Sequence, residues 1–301
     1  MVMMYCCLSG GLGNQMFQYA AAYILKQHFP DTILVLDDSY YFNQPQKDTI
    51  RHLELDQFKI IFDRFSSKDE KVKINRLRKH KKIPLLNSFL QFTAIKLCNK
   101  YSLNDASYYN PESIKNIDVA CLFSFYQDSK LLNEHRDLIL PLFEIRDDLR
   151  VLCHNLQIYS LITDSKNITS IHVRRGDYVN NKHAAKFHGT LSMDYYISAM
   201  EYIESECGSQ TFIIFTDDVI WAKEKFSKYS NCLVADADEN KFSVIDMYLM
   251  SLCNNNIIAN STYSWWGAWL NRSEDKLVIA PKQWYISGNE CSLKNENWIA
   301  M

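Results

Sequence analysis

Two adjacent arginines, Arg174 and Arg175, follow an apolar run that predicts a buried strand over 168–173. Guanidinium groups match phosphate oxygens bidentately and keep their charge at any physiological pH. When a diphosphate departs, a fixed cation stabilises the transition state more than the ground state. The pattern favours phosphate handling, with an Arg–Asp pair that caps the sheet as the alternative. Asp177 lies in the same predicted turn, and His172 faces inward, where a lone histidine is more often structural than ligating.

A second candidate segment is rich in small hydroxyl side chains. Ser261, Thr262 and Ser264 lie at the start of an apolar helix predicted over 263–270. Such side chains cap a helix and leave its backbone N–H groups available to an anion. The tryptophans that follow favour core packing over stacking on a sugar or base. This segment is therefore a second candidate for binding a phosphorylated ligand.

A glycine-rich turn near the N-terminus contains Gly10, Gly11 and Gly13, between a strand predicted over 3–8 and a helix predicted over 16–28. Glycines in this position let backbone N–H groups approach an anion at the helix N-terminus. The dinucleotide fingerprint GxGxxG is not met, because Met16 stands where its third glycine would fall. The phosphate-loop pattern GxxxxGK[ST] is absent as well. A ligand-binding turn and a plain tight turn both fit this spacing.

Two acidic residues, Asp217 and Asp218, end a strand predicted over 211–216. A pair of acids at a strand end can hold Mg²⁺ through a diphosphate. The arginines that follow the neighbouring strand already offer positive charge for that role. Pairing of an acid with an arginine is therefore favoured over a metal site.

The elements that position these residues indicate an α/β protein. The chain opens with strand, glycine loop, helix and a second strand over 33–36, the order found in nucleotide-binding folds. Beyond residue 165, short apolar strands alternate with helices, which indicates a parallel sheet covered on both faces, with ligands beyond the carboxyl ends of its strands. The predicted strands are 168–173, 211–216, 232–235, 256–259 and 276–280, and the predicted helices are 193–206, 220–226, 244–253 and 263–270. The region 39–160 is less regular, with a strand over 120–126 and a helix over 129–138.

Composition narrows the class of protein. A chain of 301 residues with 47% hydrophobic and 23% charged residues fits one or two globular domains. A net charge of −2 disfavours binding to nucleic acid. The nine cysteines form no CxxC motif and are odd in number, so we expect reduced thiols in the core and a reducing compartment. We find no signal peptide and no apolar window long enough to span a bilayer, which predicts a cytoplasmic protein.

A basic segment over 68–82 contains eight lysines and arginines and two acids. A solvated helical face is the favoured interpretation. A patch that contacts an anionic membrane surface is the alternative, and it would place the protein peripherally on the cytoplasmic face of the inner membrane.

Four segments together resemble the α-1,2-fucosyltransferases of glycosyltransferase family eleven, in particular the bacterial enzymes that decorate O-antigen repeat units. These segments are GGLGNQMFQYAAAY at 10–23, HVRRGDY at 172–178, FTDD at 215–218 and DMYLMSLCNNNIIANSTYSWWGAWLN at 246–271. The resemblance extends over nearly the whole chain and is weakest from about 40 to 120. It implies the GT-B type of glycosyltransferase, with two Rossmann-like domains: an acceptor-side domain over 1–160 and a GDP-fucose-binding domain over 161–301.

The resemblance also implies an activity: inverting transfer of L-fucose from GDP-fucose to the 2-hydroxyl of a galactose in an oligosaccharide, without a metal or other cofactor. Carried to matching positions, Arg174 resembles the arginine that holds the β-phosphate. Arg175 resembles its supporting neighbour, tied to an acid such as Asp218. His172 and Asp246 resemble contacts to the nucleoside. The remaining matching positions are the phosphate and nucleoside loop of Ser261, Thr262, Tyr263 and Ser264, and the donor-facing Gly11, Gly13, Asn14 and Gln15 of the first domain.

A general base is not identified by any motif in the sequence. The candidates are Asp37, Asp38, Asp128, Asp177 and His188, and each residue type is more often structural at such positions. A strongly dissociative reaction needs little base assistance. The missing third glycine argues against a nicotinamide-dependent oxidoreductase, and the intact arginines and hydroxyl-rich loop argue against a noncatalytic glycan-binding protein. A transferase for another GDP-deoxysugar remains open. We expect acceptor selectivity to reside in the unmatched region 40–120.

Overall fold

The computed structural model describes residues 3–45, 49–80, 100–103, 119–181, 189–235, 242–288 and 291–301, with backbone alone at 79, 80, 100–103, 177 and 180. The chain forms two compact units. The first comprises Met1–Gln46 and Ile50–Phe143, and the second comprises Lys47–Thr49 and Glu144–Met301. Each unit contains a parallel sheet with helices, so the predicted α/β class is confirmed for both.

The sheet of the first unit has five parallel strands in the order β3-β2-β1-β5-β4. The strands are β1 Met3–Cys7, β2 Ile33–Asp37, β3 Arg64–Phe65, β4 Lys100–Leu103 and β5 Val119–Leu122. The side chains of β1, β2 and β5 are almost all buried, as expected for central parallel strands that are covered on both faces. Sequence patterning missed β3 and β4, because one is only two residues long and the other carries a mixed polar sequence.

In the described ranges, the α-helices of the first unit are α1 Leu12–His28, α2 Lys68–His80, α3 Ser129–Glu134 and α4 Arg136–Ile139. Helix α1 begins four residues earlier than the predicted start at Met16. The N–H of Gln15 donates to the carbonyl of Gly11 at 3.1 Å, which closes the first helical turn inside the glycine-rich segment. Buried Leu12 explains this early start, since its side chain joins the core.

The sheet of the second unit has six parallel strands in the order β11-β10-β9-β6-β7-β8. The strands are β6 Ile168–Val173, β7 Thr211–Thr216, β8 Cys232–Val234, β9 Asn255–Ile257, β10 Val278–Ala280 and β11 Ile299–Ala300. The bounds of β6 and β7 agree with the sequence prediction. Every side chain of β6 is buried, which places this strand at the centre of the sheet.

Seven helices of the second unit lie in the described ranges. They are α5 Asp147–His154, α6 Gln157–Asp164, α7 Gly176–Asn180, α8 Met193–Cys207, α9 Val219–Phe226, α10 Ser243–Leu252 and α11 Thr262–Leu270. Helices α5 and α6 pack against α10. For this reason α5 and the start of α6 belong to the second unit, whereas the expected boundary after residue 160 assigns them to the first domain. Trp265, Trp266 and Trp269 of α11 are fully buried, which confirms the expected core packing.

The basic segment uses part of its charge inside the first unit. Lys71 pairs with Asp38 at 2.6 Å, and Arg78 lies 3.6 Å from the carboxylate of Asp37. Exposed basic side chains of α2 include Lys73 and Arg76. Residues 81 and 82 lie outside the described part of the chain. The predicted solvated face therefore describes only some of the basic side chains of α2, because two others have acidic partners within the first unit.

The eight cysteines within the described ranges are free thiols, and five of them are buried. This agrees with their predicted use as small core residues. Among the residues that the structure describes, no helix is both long enough and apolar enough to cross a membrane.

Candidate active site

The candidate site lies where the strand order of the second sheet reverses. From β6 the chain proceeds to β7 and β8 on one side, and then returns to β9 on the other side of β6. Such a reversal opens a crevice beyond the carboxyl ends of the two central strands. Arg174 and Arg175 directly follow β6, and Asn260 and Ser261 follow β9. The structure thus brings together the first two candidate segments of the sequence.

Arg174 is held by Asp217, a residue at the end of β7. An Nη1 of the guanidinium lies 2.9 Å from Oδ2 of Asp217. The other carboxylate oxygen accepts the backbone N–H groups of Arg175 at 2.8 Å and Gly176 at 3.0 Å. The ring of Tyr178 lies 5.7 Å from the Arg174 guanidinium carbon. Asp217 therefore orients both the arginine and the turn that carries it.

The charge state of Asp217 suits this role. Burial raises the pKa of its carboxyl, but Arg174 and the two donated N–H groups outweigh burial and hold the pKa below its usual range. The carboxylate is therefore ionised at neutral pH, and its negative charge balances part of the positive charge of the Arg174 guanidinium. The side chain of Arg174 remains 18% exposed, so its guanidinium is accessible to an anionic ligand although it is paired.

Arg175 is oriented by a different acid and by an aromatic ring. Its Nε donates to Oδ2 of Asp218 at 3.2 Å, and its guanidinium carbon lies 4.2 Å from the centroid of Trp221. Asp218 also caps α9 by accepting the N–H of Trp221 at 3.2 Å. The expected tie between Arg175 and Asp218 is therefore present. Both acids that were considered as metal ligands pair with arginines.

Gly176 is required by this arrangement. A Cβ at this position would lie 2.8 Å from Oδ2 of Asp217, the oxygen that binds Arg174. Any larger residue would displace that carboxylate. The sequence predicts a turn over 174–177. In the structure, α7 begins at Gly176, because Asp217 accepts the first N–H groups of the segment. Asp177 lies within α7, and its side chain is outside the described residues, so its predicted catalytic role stays a prediction.

His172 is almost completely buried, with 4% of its surface exposed. Its ring centroid lies 5.3 Å from that of Tyr263. Within the described part of the chain, its Nδ1 is buried and has no hydrogen-bond partner. Burial lowers the pKa of His172 to about 3; nearby Asp217 opposes this shift and Arg174 adds to it. The imidazole is therefore neutral, and its Nδ1 is a buried polar atom that no described group satisfies.

We predict that His172 makes stability depend on pH. Its pKa is about 3 in the folded chain and about 6.5 in the unfolded chain, so the unfolded chain binds the proton first as pH falls. The contribution of His172 to stability is complete above about pH 6.5 and is lost between about pH 6.5 and pH 3. Urea unfolding at about pH 7.5 and pH 5.5 should show that His172→Gln loses about 1.4 kcal/mol less than the unaltered protein over this interval. Equal losses would contradict the assignment.

The hydroxyl-rich loop leads from β9 into α11 and contacts the start of α10. The hydroxyl of Tyr263 donates to the backbone carbonyl of Ser243, at the start of the helix that carries Asp246. The hydroxyl of Ser264 lies 3.2 Å from the carbonyls of Ala259 and Ser261 and is committed to the backbone. Ser261 is the residue directly before α11, and its side chain makes no capping hydrogen bond to that helix. Tyr263 thus joins the loop, His172 and the Asp246 helix, whereas Ser264 has a structural role.

Asn260 and Tyr178 link the two halves of the site, and the family resemblance gave neither residue a specific role. The hydroxyl of Tyr178 donates to the carbonyl of Asn260 at 3.0 Å, beneath the Arg174 guanidinium. The side-chain amide of Asn260 donates to the carbonyls of Trp284 at 3.2 Å and Gly189 at 3.3 Å. The only available signal was the aromatic residue at the end of the HVRRGDY segment.

The glycine-rich loop belongs to the first unit. Gly10 has a φ of +77°, and a Cβ there would lie 2.7 Å from Nδ2 of Asn14. Gln15 is fully buried; its amide nitrogen donates to the carbonyls of Gly10 at 3.1 Å and His52 at 2.7 Å, and its oxygen accepts the N–H of Glu54 at 2.9 Å. Gln15 therefore supports the loop from inside, while Asn14 is only half-buried.

Three of the candidate general bases have structural partners. Asp37 is fully buried and accepts hydrogen bonds from Ser39 at 2.6 Å and Ser66 at 2.8 Å. Asp38 pairs with a lysine, as described above, and Asp128 caps α3 through the N–H groups of its first turn. His188 lies outside the described residues. These contacts support a structural role for all three carboxylates and give none of them a role in proton transfer.

Comparison with known proteins agrees with this geometry. The sequence profile of Glycosyl transferase family 11 matches residues 3–301. The chain is 49% identical over 304 residues to the O-antigen biosynthesis glycosyltransferase WbnK of Escherichia coli, covering 98% of this chain and 99% of that protein. It is 32% identical over 287 residues to an alpha-1,2-colitosyltransferase of Escherichia coli, covering 92% of this chain and 91% of that protein.

Among solved structures, the NodZ α-1,6-fucosyltransferase soaked with GDP-fucose superposes with a TM-score of 0.52 at 13% identity, covering 89% of this chain and 92% of that chain. At this identity the likeness concerns the fold alone, and it confirms the predicted GT-B class with its Rossmann-like α/β units. The family profile spans both units and all four segments that carried the resemblance. The chain is therefore a glycosyltransferase and belongs to glycosyl transferase family 11.

Proposed function

We propose that this glycosyltransferase moves L-fucose from GDP-fucose to the 2-hydroxyl of a galactose, with inversion at the fucose anomeric carbon. The observation that carries the proposal is Arg174, fixed by Asp217 at the strand-order reversal of the second unit. Support comes from the relatives: one is an O-antigen biosynthesis glycosyltransferase and another an alpha-1,2-colitosyltransferase. A bovine relative, 25% identical over 163 residues, is a galactoside 2-alpha-L-fucosyltransferase.

In the proposed donor complex, Arg174 binds the β-phosphate and Arg175 supports it. His172 and Asp246 contact the nucleoside, with Tyr263 between them. The neutral imidazole suits an uncharged base or ribose better than a phosphate. Ser261 and Thr262 lie at the N-terminus of α11, where backbone N–H groups favour an anion. These assignments follow the family resemblance.

The proposed reaction breaks the bond between the anomeric carbon and the β-phosphate oxygen, and GDP leaves with the electron pair. Arg174 stabilises the negative charge that grows on that oxygen. The acceptor 2-hydroxyl attacks from the opposite face and loses its proton as the new C–O bond forms. Asp177 is our candidate for accepting this proton. No metal enters this scheme, since an arginine supplies the positive charge.

A second donor is favoured by one specific observation, the similarity to an alpha-1,2-colitosyltransferase. Colitose is the 3-deoxy analogue of L-fucose, so the two donors differ by one hydroxyl. A site that hydrogen-bonds this hydroxyl rejects the analogue by a factor on the order of 10⁴, whereas an apolar site distinguishes the two sugars poorly. Donor choice therefore depends on one local interaction.

The proposal is tested by measuring GDP release from GDP-fucose and GDP-colitose in parallel, with EDTA present. The acceptors are lacto-N-biose, Galβ1,3GalNAc and lactose. We expect turnover with GDP-fucose and at least one galactoside, and binding of GDP but not of NAD(P). Turnover with GDP-colitose alone would transfer the assignment to that donor, and loss of turnover in EDTA would contradict metal independence. Absence of GDP binding would refute the proposed function.

We also propose a cytoplasmic location. The relative WbnK is an O-antigen biosynthesis glycosyltransferase, and a role of this kind would supply a glycan acceptor in the cytoplasm. Contact of α2 with the anionic membrane face would depend on Lys73, Arg76 and the basic residues that follow them. Sedimentation with anionic vesicles, compared with neutral vesicles, tests this contact.

A further inference from the structure

The sheet of the first unit also has a strand-order reversal, between β1 and β5. Strands β2 and β3 continue on one side of β1, whereas β5 and β4 lie on the other. In open parallel sheets, ligands bind beyond the carboxyl ends at this point. The glycine-rich loop follows β1, and residues 123–128 follow β5. These two segments therefore border a crevice at the carboxyl edge of the first sheet.

One buried side chain joins the two segments at the base of this crevice. Gln18 is 1% exposed, and its amide nitrogen lies 3.1 Å from Oγ of Ser9 and 3.4 Å from the carbonyl of Ser124. Its oxygen accepts the N–H of Ser9 at 2.9 Å. The loop that follows β1 is thereby fixed relative to the segment that follows β5.

The segment after β5 has an unfavourable backbone conformation. Tyr126 has a φ of +52° and is the only non-glycine residue with a positive φ in the described ranges. A bulky side chain in this region of φ persists only where the surroundings impose it, and such residues cluster at ligand sites. Tyr126 is itself buried, at 4% exposure, while the preceding Phe125 is 43% exposed.

The residue after Tyr126 reaches the glycine-rich loop. The amide nitrogen of Gln127 donates to Oδ1 of Asn14 at 2.9 Å, and both residues are half-buried. Side-chain amides offer a donor and an acceptor together, as the hydroxyls of a sugar require. An exposed aromatic ring adds an apolar face for a pyranose ring. This combination of neutral polar groups and one aromatic ring suits an uncharged sugar better than a phosphate.

We propose that Phe125 and Gln127 form the subsite for the terminal galactose of the acceptor, beside Asn14, which the family resemblance assigns to the donor. The inference rests on the proposed transfer to a galactoside, and it assigns acceptor recognition to the segment that follows β5 rather than to 40–120. Phe125 packs on the apolar face of the pyranose, and the amide of Gln127, held in place by Asn14, hydrogen-bonds its hydroxyls.

The subsite is tested by direct binding of methyl β-galactoside and lacto-N-biose to the full-length protein, in the presence of GDP, by saturation-transfer NMR. Phe125→Ala should reduce galactoside affinity and raise the acceptor KM roughly tenfold, with GDP affinity unchanged within about twofold. Gln127→Glu, which keeps the shape but places a carboxylate against Oδ1 of Asn14, should produce a similar loss. The matched control is Phe65→Ala, because Phe65 is 41% exposed and lies on the edge strand β3.

Galactoside binding that survives both substitutions would overturn the subsite, as would absence of galactoside binding by the unaltered protein. An equal loss in Phe65→Ala would also overturn it, because the effect would then be unspecific. The proposed donor is judged separately, because GDP affinity is measured on its own, galactoside binding is also recorded without GDP, and neither measurement depends on GDP-fucose turnover. Failure of the subsite and failure of the donor assignment are therefore distinguishable.

Discussion

Replacing Arg174 by alanine is expected to reduce turnover by a factor on the order of several hundred or more, the cost of losing one transition-state donor. The guanidinium lies at the strand-order reversal, and its paired carboxylate leaves it 18% exposed. It can therefore bind a phosphate oxygen whose negative charge increases as the glycosidic bond breaks. Loss of an interaction that strengthens during the reaction lowers kcat more than it weakens ground-state binding.

Steady-state GDP release and equilibrium GDP binding, measured on the same preparations, separate these two effects. We expect GDP affinity to fall much less than kcat in Arg174→Ala. Arg174→Lys is the matched control, because it keeps the charge but loses the planar bidentate geometry and should retain only part of the turnover. Near-normal kcat in Arg174→Ala would remove this arginine from the reaction centre. A loss confined to GDP affinity would make it a binding residue only.

The strands of the second unit were predictable because they are short, apolar and regularly spaced. Such runs are typical of parallel strands covered on both faces, and the bounds predicted for β6 and β7 agree with the structure. The arginines were predictable for a related reason, since polar residues at the carboxyl ends of neighbouring parallel strands meet at one edge. Local pattern and general topology sufficed for these features.

The contacts that orient the arginines were only partly predictable. Asp217 and Gly176 are 41 positions apart in sequence, and only the parallel register of β6 with β7 brings them within hydrogen-bond distance. The same holds for the hydroxyl of Tyr178 and the carbonyl of Asn260, which are 82 positions apart. The left-handed conformation of Tyr126 has no local signal at all, because tyrosine disfavours it and tertiary contacts impose it.

Replacing Asp217 by asparagine is expected to lower turnover by a factor on the order of tens, with little loss of stability. Asparagine keeps one oxygen, which can still accept the N–H groups of Arg175 and Gly176. Its amide nitrogen would then face Arg174 in place of the carboxylate oxygen 2.9 Å away. Two donors cannot bind each other, so the guanidinium loses its fixed orientation while the turn remains formed.

Asp217→Ala separates orientation from folding. It leaves two backbone N–H groups without their acceptor, so it should cost about 1–3 kcal/mol of stability in addition to turnover. Asp218→Asn is the matched control, because Asp218 binds Arg175 and not Arg174. Thermal unfolding and GDP release on all three variants test the scheme. The opposite result would be full kcat in Asp217→Asn and loss of kcat in Asp218→Asn. Arg175 would then be the arginine that stabilises the charge of the transition state, and Arg174 would be its supporting neighbour.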